Sequence, residues 1–266
     1  MSNDTLTIKF SAYPGTTSGK TIQSSTYYVY VLDNNDSDAP ETDYEFVSVP
    51  GRTGDLTFWN GRYKNKQITY KCICDNNART NVPSFFSALL AQPGQARLED
   101  TLNTTYFKKG VYIGNTTPRF SDGGKRATFD ITFNCQPQKW LFAGETETNC
   151  TAGTYTFTNP SSFPSYPLFR IQKSSVSSTG TITIKHLDAS SNQFVLTDDY
   201  GHSSQYVYYD CETQDAYIPV FNLNINSTVT KTGSSGRICF QGGNSTRVTV
   251  DSGMSHVYIT PRYYIL

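Results

Sequence analysis

The sequence lacks any excess of charge, since 22 Lys and Arg residues balance 22 Asp and Glu residues over 266 positions. Binding of nucleic acid or of an anionic membrane by bulk attraction needs surplus cationic charge, so the balance argues against both. Charged residues are only 17% of the chain and aromatic residues are 14%. This composition excludes a disordered polyelectrolyte and allows a sizeable hydrophobic core.

Long apolar runs are lacking as well. Runs such as residues 27–32 fall far short of the roughly 20 residues that cross a bilayer. The first residues, Met-Ser-Asn-Asp, show neither the basic nor the apolar region of a signal peptide. We therefore expect a protein that is made in the cytoplasm and does not insert into a membrane.

The six cysteines show no metal-binding pattern. Cys72 and Cys74 continue the alternation of Ile68 and Tyr70, and Cys135 continues an alternating run of its own. Both patterns predict small buried side chains on one face of a strand. A zinc site needs four converging ligands, usually in paired spacings that this chain does not have. The sequence therefore predicts reduced thiols, no metal and no cofactor.

Motifs for catalysis are incomplete. The stretch from Pro14 to Thr21 has the Gly-Lys-Thr of a phosphate-binding loop, but Pro14 stands where the first Gly is required. Acidic residues cluster at positions 198–215, and a glycosidase needs two carboxyl groups at a set separation that spacing alone does not give. We predict no catalytic residue, and hence a protein that is not an enzyme.

Helix formers are scarce, while Tyr, Phe, Thr and Val predominate, so the composition favours strands. The dipeptide Asn60-Gly61 predicts a hairpin between residues 56–59 and 63–74. A single helix is expected at residues 83–91, with Pro83 in its first turn. Its apolar residues follow helical spacing: Val82, Phe85, Phe86, Leu89 and Leu90.

The regular pattern weakens around residues 134–167, and we place a domain boundary near Lys139. Residues 1–138 then form a first domain and residues 139–266 a second. Alternating stretches return at residues 181–187, 194–197, 205–211, 216–225, 237–241, 247–250 and 256–264. Several short strands separated by turn residues predict a β-sandwich for the second domain.

Several motifs resemble a known family. The stretch Val49-Pro-Gly-Arg-Thr-Gly-Asp-Leu56, followed by Asn60-Gly-Arg-Tyr63, resembles a segment of siphophage distal tail proteins. The lone helix, the stretch Gln95-Ala-Arg-Leu-Glu-Asp100 and the strand at residues 106–113 follow in the family's order. In the second half, Asp210-Cys-Glu-Thr-Gln-Asp-Ala-Tyr217 and the closing Thr260-Pro-Arg-Tyr263 are similar to the family as well.

The resemblance implies a structural protein with two parts. In this family the first domain, a β-sandwich or barrel-like domain with one α-helix, builds a ring, usually of six copies, around the DNA channel between the tail tube and the tail tip or baseplate. The second is a galectin-like β-sandwich that projects outwards. Implied partners are further copies of the chain, the tail tube protein, a tail-associated hub or lysin protein and a receptor-binding protein, with DNA only as passing cargo. The implied location is the virion tail tip, after synthesis in the host cytoplasm.

Two questions stay open at this point. The helical stripe faces either its own sheet or a neighbouring copy. The second domain is either part of a scaffold or a carbohydrate-binding module of an adhesin. As candidate interface residues we name two loops and the stripe, namely Asp33, Asp36, Asp38, Asn103, Phe85, Phe86, Leu89 and Leu90.

Overall fold

The computed structural model describes the chain except for residues 1–3, 12–18, 115, 174–179, 186–190, 197–205, 220–222 and 234–236. The chain divides into two compact units. Unit 1 comprises residues 1–139 with Leu266, and unit 2 comprises residues 140–265. The roles expected for the two domains, ring formation and a galectin-like module, stay predictions.

Unit 1 is built on one large antiparallel sheet with the strand order β2-β1-β7-β8-β10-β6-β3, and β9 pairs with β10. A separate two-stranded sheet joins β4 and β5. The bounds are β1 Leu6–Phe10, β2 Thr21–Gln23, β3 Val29–Asn34, β4 Thr42–Val47, β5 Leu56–Tyr63, β6 Lys66–Cys74, α1 Ala78–Leu90, β7 Gln95–Asp100, β8 Tyr106–Tyr112, β9 Arg119–Ser121 and β10 Arg126–Leu141.

Unit 2 consists of two antiparallel sheets, with the orders β11-β21-β13-β16-β17-β18 and β12-β20-β14-β15-β19. Buried residues of both sheets form one hydrophobic cluster, which is the arrangement of a β-sandwich. The bounds are β11 Thr148–Cys150, β12 Gly153–Thr158, β13 Leu168–Lys173, β14 Gly180–Lys185, β15 Ser191–Leu196, β16 Val207–Asp210, β17 Asp215–Ile218, β18 Leu223–Asn224, β19 Val229–Gly233, β20 Ser245–Val250, β21 Met254–Thr260 and β22 Tyr264–Ile265.

The predicted fold class, mainly β with one α-helix, is confirmed for the described residues. Cys72, Cys74 and Cys135 are reduced and buried in the core of unit 1, as their alternation predicts. The predicted strand at residues 237–241 is reduced to a single bridge between Ser165 and Phe240. The stretch 216–225 contains two short strands, β17 and β18.

The helix is present, but it begins at Ala78, five residues before the predicted start at Pro83. Ala78 is fully buried, and its N–H donates to the carbonyl of Lys125 at 3.0 Å. This tertiary contact holds the first turn in place, and Pro83 therefore lies inside the helix. The helix packs its buried face on the sheet, where the ring centroids of Phe86 and Phe129 are 5.2 Å apart.

The hairpin predicted at Asn60-Gly61 is wrong. Strand β5 runs through this dipeptide to Tyr63 and pairs with β4, while β6 pairs with β3 and β10. Gly61 has φ +73° and lies where the β4–β5 register is interrupted. The dipeptide therefore marks an irregularity within a strand, because a left-handed Gly accommodates a bulge as readily as a tight turn.

Candidate functional site

Strands β4 and β5 with their connecting turn form an element that we call the arm, residues 42–63. Its register pairs Tyr44 with Trp59 and Val47 with Leu56, and neither strand pairs with the large sheet of unit 1. The turn contains the Pro-Gly-Arg-Thr-Gly-Asp motif, with Gly51 and Gly54 at positive φ. An isolated two-stranded sheet is marginally stable in water, so the arm needs further contacts to become rigid.

One face of the arm is aromatic. Cross-strand partners share a face, and this face carries Tyr44, Phe46 and Trp59, with Thr57 opposite Phe46. Phe46 and Trp59 are 64% and 57% exposed. The ring centroids of Tyr44 and Phe46 are 6.1 Å apart. We call these three side chains the aromatic face.

The opposite face of the arm is also apolar. It carries Val47, Leu56 and Phe58, next to Glu45. A strand that is apolar on both faces is typical of a buried strand, whereas a solvated strand alternates between apolar and polar residues. The arm therefore has the side chains of an interior element, although it is exposed on a single chain.

In the described part of the chain, large exposed apolar side chains are confined to one unit. All twelve large apolar side chains that are exposed in the described part of the chain belong to unit 1, and five of them lie on the arm. Clustered exposed apolar residues mark sites of association. Unit 1 is therefore the part of the described chain that is best suited to assembly.

A buried charge network lies beside the base of the arm. The Lys108 ammonium is 2.8 Å from Asp36 Oδ2 and 2.9 Å from Asp100 Oδ2. The hydroxyl of Tyr106 donates to Asp36, and the hydroxyl of Tyr70 donates to Asp100 at 3.0 Å. Each carboxylate thus has a cation and a hydroxyl donor, which offsets the cost of burying charge.

Three lysines from different strands converge on the turn that leads into β4. Besides its contact with Lys108, Asp36 accepts hydrogen bonds at its carbonyl from Lys66 Nζ at 2.9 Å and Lys139 Nζ at 2.8 Å. On the other side of the base, Lys64 Nζ contacts Glu41 Oε1 at 2.7 Å. The turn that leads into β4 is therefore anchored to the large sheet at Asp36.

The ionisation of this network follows from its contacts. Burial works to raise the pKa of Asp36, but Lys108, Tyr106 and Lys139 outweigh it, and the pKa lies below its ordinary value. Burial and the hydrogen bond to Asp36 raise the pKa of Tyr106. Burial lowers the pKa of Lys66. Asp36 is therefore charged at neutral pH, and its hydroxyl partner is neutral.

The residues predicted as interface candidates fall into two groups. Asp36, Phe85 and Leu89 are buried within unit 1. Phe86 is half-buried against the same core. The stripe thus faces its own sheet, which is the first of the two arrangements left open by the sequence, and a role for these four residues at an interface stays a prediction.

The other four candidates are accessible. Asp33, Asp38 and Leu90 are exposed, and Asn103 is half-buried with its amide donating to Tyr106 at 2.7 Å. A role for them at an interface stays a prediction. The residues that the sequence interpretation missed are those of the arm. The sequence signal for the arm is that Tyr44–Val47 and Leu56–Trp59 carry apolar side chains on both faces. The hairpin predicted at Asn60-Gly61 conceals this signal, because it pairs residues 56–59 with residues 63–74 and not with β4.

Unit 2 carries a cross-strand row of polar and aromatic side chains on the outer face of its six-stranded sheet. Successive pairs in the register give the row, which consists of Asn149, Tyr258, Arg170, Tyr208, Tyr217 and Asn224. Glu147 accepts two hydrogen bonds from Arg170, at 3.0 and 2.6 Å. The Arg170 guanidinium lies 3.9 Å from the ring centroid of Tyr258. We call this set the tyrosine row.

The described residues contain no group of three or more His, Cys, Asp or Glu side chains that could hold a metal ion. None of their helices is long and apolar enough to cross a membrane. The suspected phosphate-loop stretch lies largely outside the described residues, at positions 12–18. Of the acidic cluster, Asp210 is engaged by Arg262 with two contacts of 2.9 Å.

The sequence matches no protein-family model and no curated protein. The structure is similar to the crystal structure of SPP1 Dit (gp 19.1), which is described as a paradigm of the hub adsorption apparatus in phages infecting Gram-positive bacteria. The TM-score is 0.62, with 13% sequence identity over 98% of this chain and 99% of that chain.

Two structures of the phage P2 baseplate in its activated conformation are similar at a lower level. With Ca, the TM-score is 0.46 at 8% identity over 93% of this chain and 98% of that one. With Sr, the TM-score is 0.47 at 8% identity over 93% and 97%. A TM-score below 0.5 does not establish a shared fold. This chain therefore has the fold of a phage distal tail protein, the fold that its motifs predict.

Proposed function

We propose that this protein is a structural component of a phage tail hub and that it acts by self-assembly through its arm. The observation that carries the proposal is the arm itself, an exposed β-element with apolar side chains on both faces. Burying one large apolar side chain contributes about 1.5–3 kcal/mol. Several such side chains on one arm supply a strong driving force for association.

The proposed assembly is a ring of six copies around the DNA channel, formed by unit 1. Contact between two different surfaces of the same chain is head-to-tail, and such contacts generate closed rings when the rotation between copies closes. The zero net charge suits a channel, because each phosphate contact would slow the passage of DNA.

We further propose that the ring joins the tail tube protein to a tail-associated hub or lysin protein, and that a receptor-binding protein docks on it. The protein would then be made in the bacterial cytoplasm and act at the virion tail tip, in a scaffolding rather than a catalytic role. The likeness of the whole chain to a hub protein of SPP1 supports this placement.

The test is the mass of the protein measured by light scattering on a size-exclusion column over a concentration series. Six copies of a 29.7 kDa chain give about 178 kDa. We expect this species, with a central hole in negative-stain images. A protein that stays monomeric at every concentration, or that stops at a two-fold dimer, would contradict a self-closing ring.

The tyrosine row of unit 2 supports a second candidate function, binding of carbohydrate. Aromatic rings and fixed hydrogen-bonding pairs such as Arg170–Glu147 are groups that recognise sugars. Against it, the stacking of Tyr208 on Tyr217, with centroids 5.6 Å apart, already covers ring faces that a sugar would use. A glycan array, followed by melting curves with each hit, decides the matter, because a ligand of the native state raises the melting temperature.

A further inference from the structure

Strand β12 forms one edge of the five-stranded sheet of unit 2, and in the described part of the chain it pairs only with β20. The pairing is antiparallel and runs without a bulge from Gly153 opposite Val250 to Thr158 opposite Ser245. The sequence of the strand, Gly-Thr-Tyr-Thr-Phe-Thr, contains no charged residue and no proline. Strand β12 is therefore regular and uncharged, with one open edge.

The other edge strands in the described part of unit 2 have features that discourage pairing. Natural proteins protect the edges of their sheets with short strands, bulges, proline or lysine. In the six-stranded sheet the edge strands are β11, with three residues, and β18, with two. The opposite edge of the five-stranded sheet is β19, whose sequence includes Lys231. Strand β12, with six residues, has none of these features.

The direction of the backbone groups of β12 follows from its register. The N–H of Asn159 donates to the carbonyl of Asn244 at 3.1 Å, so these two residues, which continue the register of β12 and β20, are a hydrogen-bonded pair. Such pairs alternate with non-hydrogen-bonded pairs, whose side chains lie closer together. The hydroxyls of Thr154 and Thr249 are 3.1 Å apart, which agrees with this alternation.

Three threonines of β12 therefore direct their backbone N–H and C=O groups away from β20, namely Thr154, Thr156 and Thr158. All three are exposed, and none of these backbone groups has a hydrogen-bond partner among the described residues. Tyr155 and Phe157 alternate with them and pack in the hydrophobic cluster of unit 2. The open edge thus presents donors and acceptors at the spacing that another β-strand requires.

We propose that β12 accepts an extended segment of a different tail protein as an additional strand of this sheet. Strand addition to an open edge is a common mode of recognition, in which backbone hydrogen bonds supply affinity and alternate side chains supply specificity. Cross-strand partners share a face of the sheet. The segment therefore alternates apolar residues, beside Tyr155 and Phe157, with small uncharged polar residues beside the threonines.

Symmetry is the reason why the occupant is a different protein. Two β12 edges pair antiparallel with each other only across a two-fold axis. In a head-to-tail ring of six, neighbouring copies are related by a sixth of a turn, so their β12 strands do not pair with one another. The inference rests on the proposed function in this respect, and it assigns to unit 2 a docking edge for a tail partner.

Hydrogen exchange measured by mass spectrometry at residue resolution tests the proposal. The probe is a synthetic peptide of alternating Thr and Val with terminal lysines, and the control peptide has two adjacent central prolines, which interrupt pairing along both of its edges. In the free protein, the amides of Thr154, Thr156 and Thr158 should exchange faster than those of Tyr155 and Phe157. A saturating concentration of the probe should slow exchange at the three threonines at least about tenfold.

A pair of variants at one position separates the backbone from the side chain. Thr156→Pro removes an outward N–H without removing a bond to β20, whereas Thr156→Val keeps that N–H and is the matched control. We expect the affinity for the probe to fall about tenfold in the proline variant and to stay unchanged in the valine variant.

Equal slowing by the control peptide, or no slowing by the probe at any concentration, would overturn the inference, whatever the two variants do. A wild-type dimer that protects the three threonine amides without any peptide would overturn the choice of occupant. The mass by light scattering reports the ring separately. A ring whose β12 ignores the probe overturns only this inference, and a monomer whose β12 binds the probe overturns only the ring.

Discussion

Lys108 is a fully buried charged side chain, and two carboxylates depend on it. Its ammonium also lies 5.3 Å from the ring centroid of Tyr70 and 5.6 Å from that of Tyr106. A buried carboxylate that loses its cation keeps its desolvation cost without the compensating attraction. The network therefore makes the stability of unit 1 sensitive to single substitutions.

Replacing Lys108 with Met should lower the free energy of unfolding by about 3–5 kcal/mol, because it leaves Asp100 buried without this cation and leaves the Asp36 carboxylate with the longer contact of 3.5 Å to Lys139. Lys109→Met is the matched control, and we expect about 1 kcal/mol or less there, since Lys109 is only half-buried. Urea denaturation followed by circular dichroism measures both. Equal effects of the two substitutions would show that the network does not stabilise the fold.

The response to acid should follow the lowered pKa of Asp36. A carboxyl group whose pKa is lower in the folded state stabilises the protein above its unfolded pKa, which is about 3.9, and loses that contribution as the pH falls through the folded value. We expect the wild-type contribution of Asp36 to be constant from pH 7 to 5 and to disappear below about pH 4.

Lys108→Met should reverse this response. Without Lys108, burial dominates and raises the pKa of Asp36, so that protonation of this carboxyl group removes the free-energy cost of burying its charge. The difference in unfolding free energy between wild type and variant should therefore become smaller as the pH falls from 7 to 4. Urea titrations of both proteins at several pH values measure the gap. A gap that is independent of pH would contradict the ion pairs described here.

At the scale of the elements, α1 separates a core face from a solvent face. Phe85 is fully buried, with its ring centroid 5.5 Å from that of Tyr27, whereas Leu90 is 68% exposed. Phe85→Ala should cost about 3–5 kcal/mol of unfolding free energy, because it leaves a cavity in the core. Leu90→Ala should change the unfolding free energy by no more than about 0.5 kcal/mol, because this side chain is exposed. Chemical denaturation checks both, and a large loss at Leu90 would contradict the assigned orientation of the helix.

The arm should matter for assembly and not for folding. The double variant Phe46→Ser/Trp59→Ser should have an unfolding free energy within about 0.5 kcal/mol of the wild type, because both side chains are exposed on the single chain. Losing two buried aromatic contacts at about 1.5–3 kcal/mol each should raise the concentration required for assembly at least about a hundredfold. Light scattering measures the mass.

The control for the arm is Val111→Ser, which removes an exposed apolar side chain outside the arm and should leave the mass unchanged. If the double variant of the arm assembles like the wild type, the copies associate through another surface. If it fails to fold, the arm belongs to the core of unit 1, and the proposed role is wrong.

At the scale of the whole molecule, each unit has its own hydrophobic cluster. Compact units with separate cores usually unfold in separate steps. We expect two transitions in differential scanning calorimetry. Phe85→Ala should lower the melting temperature of only one transition, and Phe169→Ala, in the core of unit 2, should lower the melting temperature of only the other. One transition that shifts as a whole in both variants would show that the two units unfold together.

Much of this fold was predictable from local pattern. The alternation around Cys72 and Cys135 determined which side chains lie inside the sheet, because residues of a strand point alternately to its two faces. The stripe from Val82 to Leu89 determined the helix, because apolar residues spaced three and four positions apart lie on one face of a helix. The ordered motifs along the chain were sufficient to predict the distal tail protein fold, and the likeness to SPP1 Dit agrees with them.

The tertiary structure decided what depends on distant partners. Asp36 belongs to a run of polar residues typical of a solvated loop, yet it is buried, because Lys108 and Lys139 come from strands far along the chain. Asn60-Gly61 has the residues of a hairpin, yet β5 pairs with β4, and strand pairing is a non-local choice. The sequence by itself thus determined the elements that a local pattern defines, while the start of the helix, the partner of β5, the buried charge network and the exposed arm depend on how distant strands meet.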